Sequence, residues 1–140
     1  VGNQDSIPVQ QDTLTGTNEY YYYFQIDSMN WINCDYFYND PAPRTTVTGN
    51  VSSQFNQSNC IVYMSVDGQN SIGQLYYTNG HYETYNWPIG KAVTFVAIAE
   101  INGQYYSAFQ STTLVNNHVE ALNLTATTLS AIQSQLSLLP

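Results

Sequence analysis

Residues 91–113 read KAVTFVAIAEINGQYYSAFQSTT, and this stretch decides the fold class. Val93, Phe95 and Ala97 recur at every second position, the period of a strand that buries one face. Beyond Asn102-Gly103 the alternation resumes in Tyr105, Ser107 and Phe109, the expected partners of the first set. Asn-Gly suits a two-residue hairpin loop because both central residues must take positive φ. Residues 91–101 and 104–113 are therefore expected to form an antiparallel pair.

The same signals extend outward in both directions. Asn79-Gly80 separates Leu75-Tyr76-Tyr77 from residues 82–85, a second hairpin. Cys60-Ile61-Val62-Tyr63-Met64-Ser65-Val66 reads as a strand ending at the turn pair Asp67-Gly68. Residues 45–52 form a Thr/Val strand after the break Pro41-Ala42-Pro43, and the aromatic runs 20–26 and 31–38 precede it. Val119, Ala121, Leu122 and Leu124 offer one more strand. Eight or nine short strands imply a mainly-β chain, an antiparallel sandwich. At the end Leu129, Ile132, Leu136 and Leu139 recur at three- and four-residue steps behind Thr127-Thr128, which predicts a capped helix at about residues 128–139.

Composition narrows the function. Only 9% of the 140 residues are charged, and the polar remainder is Asn, Gln, Ser and Thr, as in extracellular domains. The net charge is -8 and the only fixed cations are Arg44 and Lys91, so phosphate neutralisation, and with it nucleic-acid binding, is excluded. The same shortage opposes attachment to anionic lipid, and no apolar run is long enough for insertion into a membrane. The chain begins at Val1, as a processed secreted product would. Residues 1–18 read as a polar N-terminal extension and 19–140 as one domain. Cys34 and Cys60 favour one disulfide, with two buried thiols as the alternative. With His81 and His118 they show no zinc-ligand spacing.

The segment Trp31-Ile32-Asn33-Cys34-Asp35-Tyr36-Phe37 resembles a motif of secreted β-sandwich proteins of Bacteroidota, and the similarity continues through residues 46–66, Trp87-Pro88-Ile89-Gly90, the Asn102 hairpin and the final helix. The resemblance implies a sandwich of the transthyretin-like, carboxypeptidase-regulatory or immunoglobulin-like kind that supports or presents and does not catalyse. Where relatives carry a basic residue after the motif's Asp, this chain has Tyr36. A second resemblance is to O-glycosylation sites of the same bacteria, Asp followed by Ser or Thr and an apolar residue. Three of the six Asp residues fit, which implies glycans at Ser6, Thr13 and Ser28. Asn50, Asn56 and Asn123 begin N-glycosylation triplets, a weaker signal in a chain this rich in Asn, Ser and Thr.

No nucleophile–base pair, paired carboxylates or phosphate cradle stands out, so the chain reads as a non-enzyme without a cofactor. His81 and His118 read as turn or surface residues, and Asp40 and Asp67 as turn residues. The 13 tyrosines are the loudest feature. Tyr22, Tyr36, Tyr38, Tyr77, Tyr82 and Tyr85 are candidate platforms for sugar rings, competing with plain strand packing. The leading functional expectation is a glycosylated structural subunit of an extracellular, cell-surface filament. Residues 1–18 would add a strand to the next copy, anchored by Ile7, Val9 and Leu14, giving a pilus-like head-to-tail polymer. The alternative is a secreted carbohydrate-binding module or adhesin.

Overall fold

A computed structural model describes residues 40–69 and 71–139. Their elements run β1 (Arg44–Asn50), β2 (Cys60–Val66), β3 (Ser71–Thr78), β4 (His81–Pro88), β5 (Ala92–Ile101), β6 (Gln104–Thr113), β7 (His118–Ala121), β8 (Thr125–Thr127) and α1 (Leu129–Ser137). The expected strands at 20–26 and 31–38, like the N-terminal extension, lie outside the described residues.

The eight strands form one hydrogen-bonded sheet in the order β7-β1-β4-β3-β2-β5-β6-β8, curled into a half-barrel. The mainly-β expectation and the short C-terminal helix hold; what differs is that the strands are continuous through β3. Its first part pairs with β2 as far as Val62 opposite Leu75, and Tyr76, Tyr77 and Thr78 then pair with β4. A strand that exchanges partners midway makes a corner, which curls the sheet over its own core.

Both Asn-Gly turns adopt the expected conformation: Asn79 and Gly80 have φ of 48° and 89°, Asn102 and Gly103 of 51° and 84°. The β5–β6 loop sets Ile101 opposite Gln104, so odd-numbered residues of β5 meet even-numbered residues of β6. Val93, Phe95 and Ala97 thus face Thr112, Gln110 and Ala108, correcting the expected pairing with Tyr105, Ser107 and Phe109. Those three residues lie on the outer face, opposite Glu100, Ile98 and Val96. A two-residue loop fixes register, and register fixes which side chains share a face.

The inner core gathers Val62, Met64, Val93, Phe95, Leu75 and Trp87 with Val47 and Leu122. A second cluster lies on the outer face of β2 and β5, where Ile132 and Leu136 of α1 cover Ile61, Tyr63, Val96 and Ile98. Strands buried on both faces lose the polar half of their alternation, which is why β2 is buried at every position. Thr128 caps the helix, its Oγ1 accepting from Ala131 N at 3.1 Å.

The last predicted strand divides in two. β7 runs parallel to β1 and β8 antiparallel to β6, so one short segment serves both edges of the sheet. Between them Leu122 N donates to Asn50 O at 2.8 Å. The Gln110 side chain spans the gap: Nε2 donates to Glu120 Oε2 and to Ala121 O, each at 3.0 Å, and Oε1 accepts from Asn123 N at 2.8 Å.

Candidate functional site

Across β7, β1, β4 and β3, the registers place Val119, Thr48, Glu83 and Tyr76 in one row on the face away from the core. Tyr76 and Val119 are each 62% exposed. His81 and Tyr85 flank Glu83 along β4, and its carboxylate accepts from His81 Nε2 and from the Tyr85 hydroxyl. The His81 bond and then the Tyr85 bond hold the Glu83 carboxyl below its ordinary value of 4.5. The same contact raises the Tyr85 phenol above its ordinary 10.0.

A β-bulge shapes this face. Val47 pairs with Thr84 and Thr45 with Trp87, so Tyr85 and Asn86 together oppose the single residue Thr46. Asn86 takes φ of 66°, the left-handed conformation that Asn tolerates better than most residues. The extra residue resets the alternation: Tyr85 is 59% exposed, while Trp87, of the same parity, is 3% exposed in the core. Trp87 Nε1 donates to Thr84 Oγ1 at 3.2 Å.

Where β3 leaves β2, a cleft of about 210 Å3 opens, bordered by Gln57, Gln74, Tyr76, Tyr77, Tyr82 and Cys60. The backbone of β2 is satisfied there without β3. Cys60 N donates to Asn56 O at 2.9 Å, and Cys60 O accepts from the Tyr82 hydroxyl at 2.7 Å. Tyr77 meets Tyr82 edge-on, with ring centroids 5.2 Å apart and planes at 68°.

Of the expected sugar platforms, then, only Tyr85 is a freely exposed ring among the described residues. Tyr77 is half-buried, and Tyr82, 2% exposed, is a core residue whose hydroxyl anchors β2. Tyr76 was not singled out by the sequence; its neighbour Tyr77 carries an equal strand signal, and only the register decides which of the two faces outward. Tyr22, Tyr36 and Tyr38, together with Ser6, Thr13, Ser28, Ile7, Val9, Leu14 and Cys34, lie outside the described residues.

The remaining expected residues are dispersed. Cys60 is a buried free thiol, pushed up to about 12 by burial. Asn50 ends β1 exposed, and Asn123 is exposed at the β7–β8 crossing. Asn56 Oδ1 accepts from Ser58 Oγ at 2.6 Å, joining the first and last residues of its triplet. Asp67 accepts from Thr94 Oγ1 at 2.9 Å beside its turn. Asp40 accepts from Ala42 N at 2.9 Å and pairs with Lys91 at 3.0 Å, and Arg44 Nη2 donates to its carbonyl at 3.2 Å.

His118 departs from the surface reading. It is 6% exposed, stacked on Phe95 with centroids 6.0 Å apart. Its Nδ1 accepts from Val115 N at 3.1 Å, so Nε2 carries the proton and donates to Glu120 Oε1 at 2.9 Å. A buried imidazole bonded at both nitrogens is a structural pin for the β6–β7 connection.

Among the described residues no three His, Cys, Asp or Glu side chains are grouped to hold a metal ion, and no helix is long and apolar enough to cross a membrane. Comparison of the chain with protein-family models, with curated proteins and with solved structures gives no match.

Proposed function

We propose that this chain is a non-catalytic extracellular β-domain that binds carbohydrate on the outer face of the β3–β4 hairpin. The observation that carries the reading is the pair Tyr76 and Tyr85, both more than half exposed on one face with the Glu83 carboxylate between them. Exposed aromatic rings beside a hydrogen-bonding group fit the apolar face and the hydroxyls of a sugar ring together. Two donors already stabilise the ionised form of Glu83, which suits an acceptor better than a proton-donating acid. The half-barrel serves as a sandwich-like scaffold that displays this face.

The test is binding to an immobilised panel of neutral oligosaccharides. Tyr76→Ala and Tyr85→Ala should each weaken binding by about tenfold, equivalent to about 1.4 kcal/mol. Retention of full affinity in both variants would refute the reading.

A second reading, assembly into a glycosylated filament through strand addition by residues 1–18, is favoured by a different feature. β8 pairs only with Tyr105, Tyr106 and Ser107, so the edge of β6 from Ala108 onward has no strand beside it among the described residues. An open edge is a template for another chain. Electron microscopy of the full chain beside a version lacking residues 1–18 distinguishes the cases. Fibres from the full chain alone support strand addition, and fibres from neither exclude it.

A further inference from the structure

We propose that the cleft between the diverging ends of β2 and β3 is a specificity pocket for one neutral sugar ring, an assignment that rests on carbohydrate binding at the adjoining outer face. The cleft is already formed. Elsewhere a gap beside a strand exposes ladder groups that invite another strand. Here Cys60 N–H is taken by Asn56 and Cys60 C=O by the Tyr82 hydroxyl, so an inserted peptide would find no main-chain partners at that residue. At that residue only side chains are left to a ligand.

The bordering side chains include two primary amides. The Gln57 and Gln74 amides make no hydrogen bond to other described residues, and each offers a carbonyl acceptor with an NH2 donor. That pairing matches vicinal hydroxyls, which also donate and accept. Tyr77, held edge-on by Tyr82, supplies an aromatic wall, and Tyr76 belongs both to the cleft and to the outer row. A saccharide lying across Tyr85 and Tyr76 therefore delivers its end ring to the amides.

Size and charge limit the occupant. At about 210 Å3 the cleft falls below the ~300 Å3 at which pockets for drug-sized ligands begin, so it accepts one ring and not two. No Lys or Arg borders it, Glu83 stands opposite Tyr76, and the chain carries a net charge of -8. A uronate or sulfated sugar would enter against that field without a cation to receive it.

The experiment follows backbone and side-chain amide signals of the full chain by NMR. The additions are the methyl glycosides of glucose, galactose, mannose and N-acetylglucosamine, then of glucuronic acid, and separately the neutral oligosaccharide panel. The expected result is a saturable, millimolar shift of the Gln57 and Gln74 side-chain amides with at least one neutral glycoside and not with the glucuronide. Gln57→Ala with Gln74→Ala should weaken that response by about tenfold, the loss of two ordinary hydrogen bonds. If oligosaccharides shift only signals around Tyr76 and Tyr85 and the two glutamines stay still, the pocket is overturned and the outer face stands. A response to the glucuronide equal to the neutral sugars overturns the charge assignment. If no saccharide moves any signal, pocket and face fall together.

Discussion

Gln110 and Glu120 are joined by a 3.0 Å hydrogen bond although their strands, β6 and β7, lie near opposite ends of the sheet order. One glutamine amide thereby fastens the curl, reaching Glu120, Ala121 and Asn123 together. Gln110→Ala should destabilise the domain by about 1–3 kcal/mol, because it strands several partners at once. Gln110→Glu should be at least as harmful, since it sets a second carboxylate against Glu120. Urea unfolding gives the size, and faster hydrogen exchange at the Asn123 amide gives the place.

Gly49 packs directly beneath Leu122: a Cβ there would stand 2.9 Å from Leu122 Cδ1. Gly49→Ala should cost about 1 kcal/mol, the low end for overpacking, because the opposing atom is the tip of a side chain. The penalty should shrink in a Leu122→Val background. A double-mutant cycle by chemical denaturation reads this coupling, and additive effects would show that the two residues do not meet.

The bulge at Tyr85–Asn86 depends on the left-handed backbone at Asn86. Asn86→Gly should leave stability nearly unchanged, whereas Asn86→Ala should lose about 1 kcal/mol and Asn86→Val more. Equal stability of the Gly and Val variants would show that the turn relaxes without cost.

The Glu83 and Asp40 carboxyls are both held below their ordinary values, Glu83 by His81 and Tyr85, Asp40 by the Ala42 amide and then by Lys91. A depressed carboxyl binds its proton more weakly when folded. Its stabilisation is complete above the unfolded values, 4.5 for Glu83 and 3.8 for Asp40, and is lost as pH falls from there through the folded ones. Carbon-13 titration of the side-chain carboxyls should place both midpoints below those of exposed Asp and Glu, and Glu83→Gln should flatten part of the acid limb of the stability curve. Tyr85 runs the opposite way, its phenol ionising above 10.0 in an ultraviolet titration.

Burial pushes the Cys60 thiol up to about 12, so at pH 8 almost none of it is thiolate. In a Cys34→Ser background Cys60 should resist iodoacetamide until denaturant is added. Rapid alkylation of the native variant would show the β2 end to be open.

By itself the sequence determined the local parts: two Asn-Gly hairpins, the limits of β2 and β6, the Thr128 cap and the apolar stripe of α1. Each of these is written in neighbouring residues, through alternation, turn conformation or capping. Tertiary structure alone decided which faces are paired and exposed. The parity of the β5–β6 loop followed from its two-residue length, but the partner exchange within β3 and the single extra residue at Asn86 each redirect side chains without altering composition. That is why Tyr76 and Tyr85 came outward while Tyr82, Trp87 and His118 went in: a strand's period is two, so one residue of register exchanges its surface for its core.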